Sequence, residues 1–115
     1  MISTIRCEVP SDISPIEILK NTFPMGSMTG APKIRAMQLI EQLEDMKRGV
    51  YSGAVGYFTP DGDFDFNVVI RSILYNAASN YVSFSVGSAI TDKSIIANEY
   101  EECLLKAKAM RQVLS

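Results

Sequence analysis

The sequence predicts an α+β domain in which an antiparallel sheet carries helices on one side. Two stretches place apolar residues at helical spacing, and three β-rich runs between residues 50 and 86 are separated by turn signals. The predicted element order is β-α-α-β-β-β-α. With 115 residues, the chain holds one domain at most, with a core of modest size.

The first elements are a strand and a short helix. Residues 1–9 are rich in β-branched side chains and end at Pro10, which predicts a strand. Because this strand begins at Met1 with no lead-in, we expect the chain to begin inside a larger fold. Asp12 or Ser14 is expected to cap a helix over about residues 15–20.

A loop rich in glycine and proline, residues 24–33, opens into the second helix, predicted over residues 32–45. Pro32 suits the first helical turn, with Gly30 or Ala31 as the cap. Such a helix start attracts anions through its free N–H groups. An ordinary linker would have the same composition, so both interpretations stay open at this point.

The β-rich half consists of three predicted strands and a closing helix. Residues 50–58 are expected to pair antiparallel with residues 64–75 across the turn at residues 60–62. Residues 81–86 return as a third strand with alternating apolar and polar side chains. The last helix is expected from about Ser94 to Leu114.

Composition excludes several classes of function. The net charge of −2, without a basic cluster, gives no indication of nucleic acid or membrane binding. The chain has no histidine, which excludes Ser-His triads and histidine metal sites. Cys7 and Cys103 lie far apart and outside any CxxC motif, which is typical of reduced thiols in a cytoplasmic protein.

The last helix carries a candidate charged site. Glu99, Glu102 and Lys106 recur at helical spacing along one edge of the apolar stripe. Two carboxylates one turn apart can share a Mg²⁺ ion, and the lysine can neutralise an anionic substrate. The alternative is a solvated helix edge on which both glutamates pair with Lys106.

Arg71 is a second candidate, since it interrupts an apolar run at residues 68–74. A charge within a strand is costly unless it is paired. Its guanidinium can hold a carboxylate through two parallel hydrogen bonds. An arginine facing solvent on an edge strand is the equal alternative.

Four ordered sequence blocks resemble the chorismate-utilising enzymes. They are FPMGSMTGAPKIRAM at residues 23–37, YSGAVGY at 51–57, residues 67–71 and EYEE at 99–102. The resemblance covers essentially the whole chain. It implies that residues 1–115 are the incomplete C-terminal portion of a larger chorismate-binding α/β sandwich of the anthranilate synthase type.

The resemblance also implies a reaction. Enzymes of this family bind chorismate with Mg²⁺ and replace a ring hydroxyl by attack of ammonia, water or a lysine. For this chain it implies part of an enzyme that makes 4-amino-4-deoxychorismate for the folate branch, with ammonia from a glutamine amidotransferase subunit. Anthranilate formation, isochorismate or salicylate formation, and a non-catalytic binding module stay open as alternatives.

Site residues follow from matching positions in the family pattern. The resemblance implies metal binding by Glu99 and Glu102, and substrate binding by Ser27, Thr29, Tyr51, Arg71, Gly87 and Lys106. The sequence departs from the pattern at residues 87–90, where Gly-Ser-Ala-Ile replaces a glycine-rich run, and at residues 93–97. The family's catalytic lysine and general acid lie upstream of this segment, so we expect it to be inactive alone.

Overall fold

A computed structural model of the chain describes residues 4–115. In chain order the described elements are α1 (Pro15–Thr22), α2 (Gly26–Thr29), α3 (Lys33–Leu43), β1 (Ala54–Phe58), β2 (Phe64–Val68), β3 (Leu74–Asn76), β4 (Tyr81–Ser83) and α4 (Ile96–Leu114). One compact unit contains residues 4–44 with Gly56–Asp65, and the second contains Asp45–Val55 with Phe66–Ser115. The predicted α+β class is confirmed.

Helix α1 begins where the capping pattern predicts. The Ser14 hydroxyl accepts a hydrogen bond from the Glu17 backbone N–H at 3.2 Å, and Pro15 occupies the first turn. At the other end the Phe23 N–H donates to the Leu19 carbonyl at 2.9 Å. The helix therefore extends to Thr22, two residues beyond the predicted end.

The loop before α3 contains a helical turn that the sequence did not predict. In α2, the Met28 N–H donates to the Met25 carbonyl at 3.0 Å, and the Thr29 hydroxyl donates to the same oxygen at 3.1 Å. Gly30 ends this turn with φ of 136°, a conformation that L side chains rarely adopt. The loop is thus a compact turn of helix closed by a glycine.

Helix α3 begins at Lys33, one residue later than predicted. Pro32 has extended backbone (φ −66°, ψ 134°) and precedes the first helical residue, so its predicted place inside the first turn is wrong. The helix ends at Leu43, short of the predicted Asp45. Its apolar stripe is largely uncovered, with Ile34 74% and Leu43 75% exposed.

Strands β1 and β2 form a two-stranded sheet closed by the predicted turn. The Thr59 N–H donates to the Asp63 carbonyl at 2.8 Å, and Gly62 has φ of 92°. The predicted strand 50–58 starts later, at Ala54, because the preceding residues fold into a turn. In that turn the Gly53 N–H donates to the Val50 carbonyl at 3.0 Å.

The predicted long strand over residues 64–75 is wrong, because the extended backbone is interrupted between Val68 and Leu74, where Arg71 lies. This residue has φ of 53°, which takes the backbone out of the extended region. The break separates β2 from β3, and β3 pairs with β4 in a second antiparallel sheet, with Tyr75 opposite Val82. The described residues therefore form two hairpins instead of one three-stranded meander, and β4 is shorter than the predicted strand 81–86.

The predicted N-terminal strand is not observed. Residues 1–3 lie outside the described residues, and residues 4–9 form no strand. The side chain of Ile5 is 94% exposed. Neither described sheet includes this segment, so its backbone lacks the neighbouring strand that a ladder of hydrogen bonds requires.

Ser52 anchors the turn that precedes β1. It is one of three buried residues within the described range, with Val69 and Ala107. Its N–H donates to the Val69 carbonyl at 3.0 Å, and its hydroxyl accepts from Arg48 Nη1 at 3.0 Å. Its φ of 69° is unusual for a residue with a side chain. These bonds fix the backbone next to Tyr51.

Ser52→Val is expected to lower the free energy of unfolding by about 2 kcal/mol or more, because a β-branched residue is strained at this φ and Arg48 loses an acceptor. Ser52→Gly keeps the conformation and is expected to cost less than about 1 kcal/mol. Urea unfolding followed by circular dichroism measures both values. Equal losses of unfolding free energy in the two variants would contradict the conclusion that the backbone at residue 52 disfavours a β-branched side chain.

Candidate functional site

The candidate site lies in the second unit, where the segment after β4 contacts helix α4. The helix runs over Ile96–Leu114, close to the predicted bounds. It is preceded by a turn in which the Thr91 N–H donates to the Ser94 hydroxyl at 3.0 Å. No helix of residues 4–115 is long and apolar enough to cross a membrane. Successive turns of α4 place the three predicted charged residues on one side.

Lys106 joins α4 to the backbone after β4. Its Nζ lies 2.5 Å from Glu102 Oε1, and it donates a hydrogen bond to the Gly87 carbonyl at 2.8 Å. The Lys106 side chain is 39% exposed and that of Glu102 is 50% exposed. The ammonium group therefore holds a carboxylate and a loop carbonyl at the same time.

Glu99 has a different partner. Its Oε2 accepts a hydrogen bond from the Ser88 hydroxyl, and its side chain is half-buried. The alternative predicted from the sequence, in which both glutamates pair with Lys106, is correct for Glu102 and wrong for Glu99. Gly87 and Ser88, adjacent residues of one loop, thus contact residues that lie about two helical turns apart on α4, Lys106 and Glu99.

The charge of Lys106 acts directly on Glu102. The hydrogen bond from Lys106 and its positive charge lower the pKa of the Glu102 carboxyl, and the Ser88 hydroxyl acts in the same direction. Glu102 is consequently ionised at neutral pH, with its charge compensated by the lysine.

This pKa shift predicts the pH dependence of stability. Because the carboxyl pKa is lower in the folded chain, the ion pair stabilises the fold above the ordinary glutamate pKa of about 4.3. That contribution is lost as the pH falls through the lowered value. The unfolding free energies of the parent and Glu102→Gln should therefore differ at pH 7 and converge once the pH falls below the lowered pKa of Glu102. Since both side chains are partly exposed, the difference should shrink in 1 M NaCl, at a Debye length of about 3 Å. A difference in unfolding free energy that does not change with pH would contradict a stabilising ion pair between Glu102 and Lys106.

Tyr51 approaches the same loop from the turn anchored by Ser52. A Cβ atom added to Gly87 would lie 2.8 Å from the Tyr51 hydroxyl oxygen, so the tyrosine packs directly against this glycine. Tyr51 and Gly87 are both half-buried. The structure thereby brings together five of the eight predicted site residues, which are Tyr51, Gly87, Glu99, Glu102 and Lys106.

The other three predicted residues are placed differently. Arg71 lies in the break between β2 and β3, is exposed, and forms no hydrogen bond or ion pair with another residue of the described chain. Ser27 and Thr29 lie in α2, in the first unit, where Ser27 is exposed and Thr29 half-buried. Substrate binding by these three residues stays a prediction.

Two contributors to the site were not predicted from the sequence. In the sequence, Ser88 stands out only as a departure from a glycine-rich run, although a hydroxyl next to the predicted Gly87 is a usable signal. The hydrogen bond between Arg48 and Ser52 supports the turn that carries Tyr51. Nothing in the sequence predicts this bond, because the positive φ of Ser52 cannot be inferred from the local sequence.

The two glutamates are suited to part of a divalent-cation site. Glu99 Oε1 accepts no hydrogen bond from residues 4–115, so this oxygen is available to a ligand. Those same residues contain no group of three or more acidic, cysteine or histidine side chains that could hold a metal alone. Mg²⁺ commonly takes one or two carboxylates together with water and substrate oxygens. Glu99 and Glu102 fit such an incomplete protein ligand set.

Comparison with known proteins identifies the family to which the chain is similar. A sequence profile described as chorismate binding enzyme matches residues 1–112. The chain is 46% identical over 114 residues to a probable chloroplastic aminodeoxychorismate synthase of Oryza sativa subsp. japonica, covering 99% of the chain and 12% of the relative. It is 42% identical to an aminodeoxychorismate synthase of Streptomyces griseus, covering 99% and 16%. It is 38% identical to anthranilate synthase component 1 of Aquifex aeolicus, covering 99% and 23%.

The chain therefore spans between 12% and 23% of the length of these relatives. The profile, in contrast, extends over nearly all of the chain's own residues. The four sequence blocks and the profile match agree, and the chain belongs to the chorismate-binding enzyme family.

Proposed function

We propose that this chain forms part of an aminodeoxychorismate synthase component I-like enzyme, which converts chorismate and ammonia to 4-amino-4-deoxychorismate. The observation that carries the proposal is the pattern of identities along the chain. Five proteins whose names contain aminodeoxychorismate synthase are 42–46% identical to the chain over 109–116 aligned residues. Three proteins named anthranilate synthase component 1 are 37–38% identical to it over 110–114 aligned residues.

The geometry of the site suits an anionic ring substrate. Chorismate carries two carboxylates, and Lys106 supplies a cation while the Tyr51 hydroxyl and the Gly87 backbone line the same place. Glu99 and Glu102 would hold Mg²⁺, which when bound neutralises charge as the ring hydroxyl leaves. The ion pair with Lys106 keeps Glu102 ionised and oriented for that role.

The remaining parts of the machinery are assigned to the rest of the full-length protein. In this proposal, as the family resemblance implies, the catalytic lysine and general acid lie upstream, and we expect this segment to be inactive alone. A glutamine amidotransferase partner would supply ammonia to the complete enzyme. Both cysteines of the chain are free thiols, which suits a reducing compartment such as the cytoplasm.

Anthranilate synthesis is the second candidate, supported by the relatives of that name that match 96–99% of the chain. Two chimeras separate the candidates. In one, this chain replaces its matched segment in the Streptomyces griseus aminodeoxychorismate synthase. In the other, it replaces the corresponding segment of the Aquifex aeolicus anthranilate synthase component 1.

We expect the aminodeoxychorismate chimera to retain the larger share of its parent's kcat/KM with chorismate, Mg²⁺ and ammonium, with products identified by mass spectrometry. Turnover by the anthranilate chimera alone would assign the segment to that reaction. Failure of both folded chimeras would overturn the catalytic proposal. The 115-residue chain alone is expected to give no product, and steady turnover by it would refute the assignment of essential groups upstream.

A further inference from the structure

Ser88 lies where the loop after β4 meets the two candidate metal-binding carboxylates. Its hydroxyl donates to Glu99 Oε2, while the neighbouring Gly87 carbonyl accepts from Lys106, which pairs with Glu102. Ser88 therefore contacts Glu99 directly, and Gly87 is linked to Glu102 through Lys106. The two carboxylates are one helical turn apart. Ser88 also contributes to lowering the pKa of Glu102, which indicates that its hydroxyl lies near both groups.

The two carboxylates differ in the charge of their partners. Lys106 compensates the negative charge of Glu102, whereas the Ser88 hydroxyl fixes Glu99 without neutralising it. An arriving divalent cation must displace or share the ammonium at Glu102. At Glu99 it meets an uncompensated charge and an oxygen, Oε1, without a hydrogen bond from the described part of the chain.

We propose that Ser88 is a positioning residue that orients Glu99 as the first ligand of the divalent cation. The inference rests on the Mg²⁺ site of the proposed function. It adds the order in which the two glutamates bind the cation. Glu99 contacts the cation first, and Glu102 joins as Lys106 turns to the anionic substrate. Groups that orient metal ligands in this way typically change metal affinity by about 10- to 100-fold when removed.

The test uses the aminodeoxychorismate chimera, called the parent below, and Mn²⁺, with free Mn²⁺ measured by electron paramagnetic resonance. Ser88→Ala is expected to weaken binding about tenfold, and Ser88→Thr, which keeps the hydroxyl, should bind more tightly than Ser88→Ala. Ser79→Ala is the matched control, because this serine is exposed in the turn between β3 and β4. It should bind Mn²⁺ like the parent.

A second readout separates positioning from folding. In the parent, substoichiometric Mn²⁺ should broaden the side-chain carboxyl ¹³C resonance of Glu99 before that of Glu102. In Ser88→Ala, with unchanged amide spectra elsewhere, this order should be lost. If Ser88→Ala binds Mn²⁺ with the affinity of the parent and broadens the two resonances in the same order, the role of Ser88 is overturned, while the cation site itself is retained. Absence of Mn²⁺ binding by the folded parent would overturn the cation site of the proposed function itself.

Discussion

Glu102→Gln is expected to lower the kcat/KM of the aminodeoxychorismate chimera by about 100-fold or more, the order of loss seen when one preorganised electrostatic group is removed from an active site. The amide is nearly isosteric with the carboxylate, so the fold should change little. It cannot supply an anionic ligand to Mg²⁺, and it leaves the Lys106 ammonium without its charge partner. The activity of the variant at rising Mg²⁺ concentration measures the loss.

Glu101→Gln is the matched control for this variant. Glu101 is the adjacent carboxylate on α4 and is exposed, so its replacement should leave kcat/KM and Mg²⁺ dependence unchanged. Glu101→Gln should unfold within about 0.5 kcal/mol of the parent, as is usual for surface substitutions, and Glu102→Gln should lose only the small, salt-sensitive contribution of its pair with Lys106. If Glu102→Gln destabilises the fold while Mg²⁺ dependence stays normal, the pair with Lys106 is structural only.

Gly87→Ala is expected to lower kcat/KM of the same chimera by about 10- to 100-fold, because small misplacements in an active site have effects of this size. The new Cβ would lie 2.8 Å from the Tyr51 hydroxyl oxygen, closer than such atoms approach in folded proteins. Either the tyrosine or the loop must move. Movement of the loop also shifts the carbonyl that Lys106 contacts.

Tyr51→Phe provides the rescue for this steric effect. Without the hydroxyl oxygen, the nearest ring atom is Cζ at 3.9 Å from the added Cβ, which is an ordinary van der Waals distance. The double variant should therefore be more active than Gly87→Ala and close to Tyr51→Phe alone. If the two losses simply add, the effect of the alanine does not pass through Tyr51.

The elements with strong local signals were predicted well. Ser14 followed by Pro15 marks the start of α1, the turn at residues 60–62 marks the first hairpin, and helical spacing marks α4. The sequence pattern predicts Arg71 within a continuous strand, because residues 68–74 are mostly apolar and rich in β-branched side chains. Positive φ is common at glycine and asparagine but not at arginine, so no local signal announced the break.

The site shows the same division between local and non-local information. The Glu102–Lys106 pair follows from i,i+4 spacing on one helix and was anticipated as an alternative. The Ser88–Glu99 bond crosses from an irregular loop to a helix, so spacing alone could not predict it. The contact of Tyr51 with Gly87 depends on the turn that the buried Ser52 anchors, and Ser52 looks like an ordinary polar residue in sequence.

The spacing of these contacts along the chain has a consequence for the order in which the site folds. Ser88 and Glu99 are 11 residues apart, and Gly87 and Lys106 are 19 apart, whereas Tyr51 must close a much longer loop. Short closures cost less entropy, so the Gly87–α4 contacts should form before Tyr51 docks. In stopped-flow experiments, Lys106→Met should mainly slow refolding, while Tyr51→Ala should mainly accelerate unfolding. The contacts of Gly87 and Ser88 with α4 would then be in place while Tyr51 is still exposed to solvent.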